Sequence, residues 1–153
     1  MAPEGHADWR EVTAEWVGGL DFVGKDGKGG WLNLGSAGEV AAQEGRLSPM
    51  ELILIGLAGC TGIDVVSTLQ KMRQNLSSLK LVVRGKRTEN YPRVYTEIEV
   101  EYILAGDCLD PRAVERAIQL SKEKYCSVSA MLEKTARIDS RYRILQNDPG
   151  SAD

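Results

Sequence analysis

Cys60 and Cys126 are the residues of this chain whose settings are best suited to chemistry. Cys60 sits in SPMELILIGLAGCTGIDVV, a nearly continuous apolar stretch studded with glycines. Cys126 sits in KEKYCSVSAML, where one amphipathic segment stops and another starts. A thiolate can attack the O–O bond of a peroxide, and a second thiol can then resolve the sulfenic acid that results. Their separation along the chain is no obstacle, because loop-closure entropy grows only slowly with length. The apolar surroundings of Cys60 suit an alkyl hydroperoxide. Free cysteine also serves as a small buried hydrophobe, so the reading turns on whether the two sulfurs meet.

The neighbours of the thiols supply little activation. Cys60 falls about three turns inside its expected helix, where the dipole effect of the N-terminus has faded. Asp64, at i+4, would oppose a thiolate if it faced the sulfur. A cation must then come from elsewhere, and Lys25, Arg46, Arg73 and Arg87 are the candidates. Cys126 is better placed: with Ser127 capping the following helix, its thiol would lie beside a helix N-terminus. Cys108, in the polar turn GDCLDP, carries no chemistry. The lone histidine, His6, lies near the start of the chain and no CxxC spacing occurs, so neither a metal site nor a cofactor is expected. GKDG reads as a hairpin turn and not as a phosphate cradle, since no strand-loop-helix signature follows it.

The elements that must position these residues alternate in type. Residues 8–17 alternate as a half-buried strand with Val12, Ala14 and Trp16 on one face. Gly18-Gly19 turns the chain into a second strand over 20–23. GKDGKGG then makes a flexible hairpin loop before a short strand over 31–34, and residues 35–47 form a loop. Ser48-Pro49-Met50-Glu51 is a capping box with proline at the first helical position. The helix it opens runs to about Asn75, and its first half is apolar almost all round, which predicts burial on every side. Strands follow over 79–84 and 94–104, the second with Val94, Thr96, Ile98, Val100, Tyr102 and Leu104 on one face and Glu97, Glu99 and Glu101 toward water. Asp110-Pro111 caps a helix carrying Val114, Ala117, Ile118 and Ser121 on one face. A break near Cys126 precedes a short helix to about Lys134, and 136–145 is the last strand. The ends, 1–7 and NDPGSAD, read as loose.

Together these make an α+β chain with largely antiparallel sheet wrapped around a long buried central helix. It is one domain spanning 1–153, with a core over about 9–145. Gly56, Gly59 and Gly62 form a smooth strip where another backbone could approach, which predicts a homodimer centred on that helix. At 42% apolar and 27% charged the composition is that of an ordinary globular protein. A net charge of −3 with scattered basic residues argues against nucleic acid as a partner. The longest apolar run is too short to span a bilayer, so no membrane partner is expected. With no apolar leader and an odd count of three cysteines, reduced thiols in the cytoplasm fit better than a secreted disulfide framework.

SPMELILIGLAGC followed by DVV and, downstream, by EKYCSVS resembles the OsmC/organic hydroperoxide resistance (Ohr) superfamily, in its OsmC-like branch. The likeness covers roughly residues 9–145. It implies an intertwined homodimer with strands of both subunits around two central helices. It further implies a thiol-dependent peroxidase of the oxidative stress response, with Cys60 as the peroxidatic and Cys126 as the resolving thiol. A small hydroperoxide would be the substrate and a dithiol, such as a lipoylated protein, the reductant. Family members support the first cysteine with an arginine in a G-R-D/N-G hairpin and a glutamate ten residues before it. Here Lys25 stands at the arginine as the possible cation. Met50 stands at the glutamate, with the possible orienting residue, Glu51, one place later. Lysine keeps the charge but loses the bidentate fork, and one residue along a helix is a rotation of about 100°. Those departures motivate a second reading, a redox-sensing or apolar-ligand-binding dimer with little turnover.

Overall fold

The structure, a computed structural model, describes residues 9–36 and 45–146. His6 with the rest of the first eight residues, positions 37–44 of the expected loop, and NDPGSAD lie outside the described residues. The chain divides into two compact units, Met1–Leu52 and Ile53–Asp153.

The first unit holds β1 (Val12–Gly18), β2 (Asp21–Asp26) and β3 (Trp31–Leu34) in an antiparallel meander. Gly18 and Gly19 take positive φ at the first turn, as a tight reversal requires. The second strand runs further than expected, through Gly24, Lys25 and Asp26, so that only Gly27–Gly30 turns. The Asp26 carboxylate makes that turn by accepting from the backbone N–H groups of Lys28 and Gly30, both at 2.8 Å. Those bonds hold its pKa below the ordinary value. The expected half-burial of β1 does not hold, for Val12 and Trp16 remain 75% and 67% exposed. One sheet layer satisfies its backbone but covers neither of its own faces.

Next comes α1 (Pro49–Lys71). Its capping box forms as the sequence indicates: the Glu51 N–H donates to Ser48 Oγ and the Ser48 N–H to Glu51 Oε2, each at 3.2 Å. The helix ends four residues earlier than Asn75. Arg73 takes φ 58°, and the Arg73 and Gln74 N–H groups reach back to the Gln70 and Leu69 carbonyls. This is a Schellman stop built without glycine, which hydrophobic periodicity cannot mark.

In the second unit, β4 (Asn75–Arg87) pairs antiparallel with β5 (Tyr95–Asp107). Then come α2 (Pro111–Leu120), a π-helical turn (Ser121–Tyr125), α3 (Ser127–Leu132) and β6 (Arg137–Ile144). This return path places β6 parallel to β5, from Glu97 opposite Arg137 to Leu104 opposite Ile144. A helical crossover of this length is what parallel pairing needs, so this sheet is mixed. Ile98, Val100, Tyr102 and Leu104 form its inner face, as the alternation of β5 indicates. They meet Leu57, Val65 and Leu69 of α1 together with Val114, Ala117 and Ile118 of α2 in one buried core. Each such large aliphatic side chain stabilises the fold by about 1.5–3 kcal/mol.

Burial of α1 on every side is not found in the single chain. Leu57, Thr61, Gly62, Val65 and Leu69 are buried, whereas Ile53, Ile55 and Ile63 are 38%, 50% and 72% exposed. Gly62 lies against β4, where an added Cβ would come within 3.2 Å of Leu81, but Gly56 and Gly59 face open space. By length and composition alone the 23-residue helix is long and apolar enough to cross a membrane, a test that the core helix of a soluble protein also passes. In the fold its inner stripe packs on the sheet.

Candidate functional site

The site forms where the inner face of α1 meets the end of α2. On α1, Thr61 shares the buried stripe of Leu57, Val65 and Leu69, with Cys60 beside it and Asp64 one turn on. Opposite, the apolar stripe of α2 ends in Ser121, which is fully buried. There the helix widens: the Cys126 N–H donates to the Ser121 carbonyl at 2.8 Å, five residues back and not four. Such π turns insert one residue into the helical count. Cys126 follows in an extended conformation and caps α3 itself, its sulfur accepting the Ser129 N–H at 3.4 Å. The expected cap, Ser127, is instead the first helical residue.

This geometry gathers Cys60 Sγ, Cys126 Sγ and an Asp64 carboxylate oxygen within 4.8 Å of one another. The sulfurs meet. Asp64 does face them, and the Ser121 hydroxyl donates to its Oδ2 at 2.9 Å. That bond fixes the direction of a longer chain. Ser121 has spent its only proton on Asp64, so it accepts from Thr61 at 2.8 Å. Thr61, in turn, accepts from the Tyr102 hydroxyl at 2.6 Å. Three hydroxyls from three elements therefore point their protons toward one carboxylate. No buried side-chain nitrogen or oxygen among the described residues lacks a partner.

Access separates the two thiols. Cys60 is half-buried, whereas Cys126 is only 3% exposed. Burial pushes the Cys126 pKa above its ordinary value; the hydrogen bonding at Ser129 opposes the rise, and the neighbouring Cys60 adds to it. The expectation that a helix N-terminus would ease its ionisation thus fails, because desolvation outweighs a single turn of N–H groups. Burial likewise raises the Tyr102 pKa, opposed by its bond to Thr61.

The other anticipated residues have separate engagements. Lys25, on β2 opposite Thr13 and Trp31, pairs with Glu15 at 3.2 Å. Glu51 is exposed and serves the capping box. Arg46 pairs with Asp21, Arg73 forms the helix stop, and Arg87 donates to the Arg93 carbonyl. Cys108 sits exposed in its turn with φ 50°. Among the described residues no lysine or arginine forms an ion pair with Asp64. An open apolar groove of about 480 Å³ runs along α1 beside Gly59, Gly62, Ile63 and Val66 toward Leu79 and Leu81 of β4.

Sequence reasoning missed Thr61, Tyr102 and Ser129 as parts of this site, and saw Ser121 only as a position on a buried face. A signal was present: a hydroxyl within an apolar stripe must find a partner there.

Residues 42–141 match the model of the family described as OsmC-like protein. The chain is 40% identical over 136 residues to Protein YhfA of Escherichia coli K12, spanning 88% of this chain and 98% of that protein. A crystal structure from Aquifex aeolicus superposes with a TM-score of 0.81 at 33% identity, covering 92% of this chain and 99% of the other. The organic hydroperoxide resistance protein OhrB of Bacillus subtilis shares the fold, with a TM-score of 0.59 at 18% identity over 89% of this chain and 98% of that one.

Proposed function

This chain belongs to the OsmC-like protein family, and on that premise we propose that it is a thiol-dependent peroxidase reducing organic hydroperoxides. The observation that carries the reading is the approach of the Cys60 and Cys126 sulfurs to within 4.8 Å. Cys60 is the thiol that a solute can reach, so it attacks the peroxide. Its thiolate takes the terminal oxygen, the O–O bond breaks, and the alkoxide leaves as an alcohol after taking up a proton. Cys126, once it gives up its proton, then attacks the sulfenic sulfur. A disulfide forms and the sulfenic oxygen departs as water. The sulfurs close to about 2.05 Å in that bond. A dithiol, such as a protein-bound dihydrolipoamide, supplies the two electrons and two protons that restore the pair. Bacillus subtilis OhrB, which shares the fold, is an organic hydroperoxide resistance protein, and this supports the choice of substrate class.

The working form is a homodimer assembled on α1. Ile53, Ile55 and Ile63 are exposed, and Gly56 and Gly59 leave room for a second backbone. An apolar patch of this kind is rarely left to water. The protein acts in the cytoplasm, where thiols stay reduced. Lys25 and Glu51 are not needed for the chemistry in this reading.

Stopped-flow mixing of reduced protein with cumene hydroperoxide is the test. Loss of two thiols per peroxide is expected, and loss of the reaction in Cys60→Ser. If no thiols are consumed, or if Cys60→Ser reacts as fast, the proposal fails.

One observation favours a second reading, a redox sensor or apolar-ligand carrier with little turnover. Asp64 puts a carboxylate against the sulfurs with no lysine or arginine paired to it among the described residues. The groove beside Gly59 and Gly62 would then hold the ligand. Native mass spectrometry of protein purified from cells separates the two, since a retained ligand on unreactive protein favours the carrier.

A further inference from the structure

We infer that Cys60, Asp64 and Cys126 form a binding site for one thiophilic divalent metal ion of the zinc class. Three donors of two kinds, two sulfurs and a carboxylate oxygen, already stand within 4.8 Å of one another. Two of them lie one turn apart on α1, so a single rigid helix sets their spacing. The third is fixed by the π turn and by its place at the head of α3, where its sulfur accepts the Ser129 N–H. Two sulfurs each about 2.3 Å from a tetrahedral ion stand about 3.8 Å apart. Closing around an ion therefore asks for side-chain shifts of about 1 Å or less.

The surroundings are those of a metal site as well. A ligating carboxylate is usually oriented by an outer hydrogen bond, and the Ser121 hydroxyl makes that bond to Asp64 Oδ2 at 2.9 Å. The other carboxylate oxygen remains available. Ser121 is itself held by Thr61 and Tyr102, so the orientation is anchored in the core. Cys126 closes the inner side, while half-buried Cys60 and Asp64 leave an outer side for entry and for water in the fourth position. A divalent cation would also offset the negative charge that three such ligands bring together. Sulfur donors select zinc and its neighbours over magnesium or calcium. The site holds whether or not the protein turns over peroxide, and its failure would leave the peroxidase reading untouched.

The test uses reduced full-length protein with Cys108→Ser, which removes the exposed third thiol. Titration with cobalt(II) is expected to give one ion per chain, with sulfur-to-cobalt charge-transfer absorption that zinc then abolishes. Asp64→Asn should weaken binding at least tenfold, and Cys60→Ser or Cys126→Ser at least a hundredfold. A readout on the unsubstituted protein guards against misfolded variants. Zinc should slow alkylation of Cys60 and Cys126 by iodoacetamide at least tenfold, and leave Cys108 unchanged. Absence of the charge-transfer band, equal affinity in a folded Asp64→Asn variant, or equal alkylation of the three cysteines with and without zinc overturns the inference.

Discussion

The Ser121 hydroxyl donates to Asp64 at 2.9 Å while accepting from Thr61, so the end of α2 is latched to α1 beside both sulfurs. The bond ties together the two elements that carry the thiols, whose sulfurs lie within 4.8 Å of each other.

Breaking it in the middle should cost stability. Thr61→Val preserves volume but leaves Tyr102 without its acceptor and Ser121 without its donor. A loss of about 1–3 kcal/mol is expected, read as a lower urea midpoint with unchanged slope. An unaltered midpoint would mean that the hydroxyls find other partners.

In the proposed mechanism the more exposed thiol, Cys60, reacts first. In Cys126→Ser, one equivalent of hydroperoxide should consume one thiol at Cys60 and leave a sulfenic acid trapped by dimedone. In the unsubstituted protein peptide mapping should find a bridge between Cys60 and Cys126, with Cys108 unmodified. Dimedone adducts on Cys126 in the Cys60→Ser variant would reverse the assignment.

Alkaline pH should weaken the fold. Burial holds the protons of Cys126 and Tyr102 to higher pH than their ordinary values of 9.0 and 10.0. Their contribution is therefore complete below those values and is lost as pH rises through the higher folded ones. Tm should stay level between about pH 7 and 8.5 and fall above about 9. Part of that fall should vanish in Cys126→Ser. A Tm that holds level to about pH 11 would contradict the assignment.

The exposed stripe of α1 can be tested apart from the core. Ile63→Lys places a charge on a side chain that is 72% exposed in the single chain. The circular dichroism spectrum should stay unchanged while the mass by light scattering halves. Gly62→Ala should instead disturb packing on Leu81, since its added Cβ would lie 3.2 Å from that side chain. If Ile63→Lys leaves the mass at that of the unsubstituted protein, α1 is not the dimer contact.

Much of this is legible in the sequence. Glu97, Glu99 and Glu101 alternating with Ile98, Val100 and Tyr102 assign the faces of β5, because a strand has only two sides. Ser48 and Glu51 announce their reciprocal bonds, which span only three residues. The relation of Asp64 to Ser121 is not legible, since it joins two helices far apart in the chain, and the placement of Cys126 depends on a fifth-residue hydrogen bond that has no compositional mark. The apolar surround of α1 tells that its surface must be covered, but not that one chain covers only the stripe of Leu57, Thr61, Val65 and Leu69. The parallel pairing of β5 with β6 escapes a reading by alternation, which carries no strand direction.

The widened turn at 121–125 makes the meeting of the sulfurs a matter of counting. Removing a single residue there would restore ordinary α-helical phase and swing everything after it by about 100°. The later thiol should then face away from its companion. The approach of the two sulfurs thus depends partly on the length of a loop-free segment, where substitution scans would not find it but a one-residue deletion would.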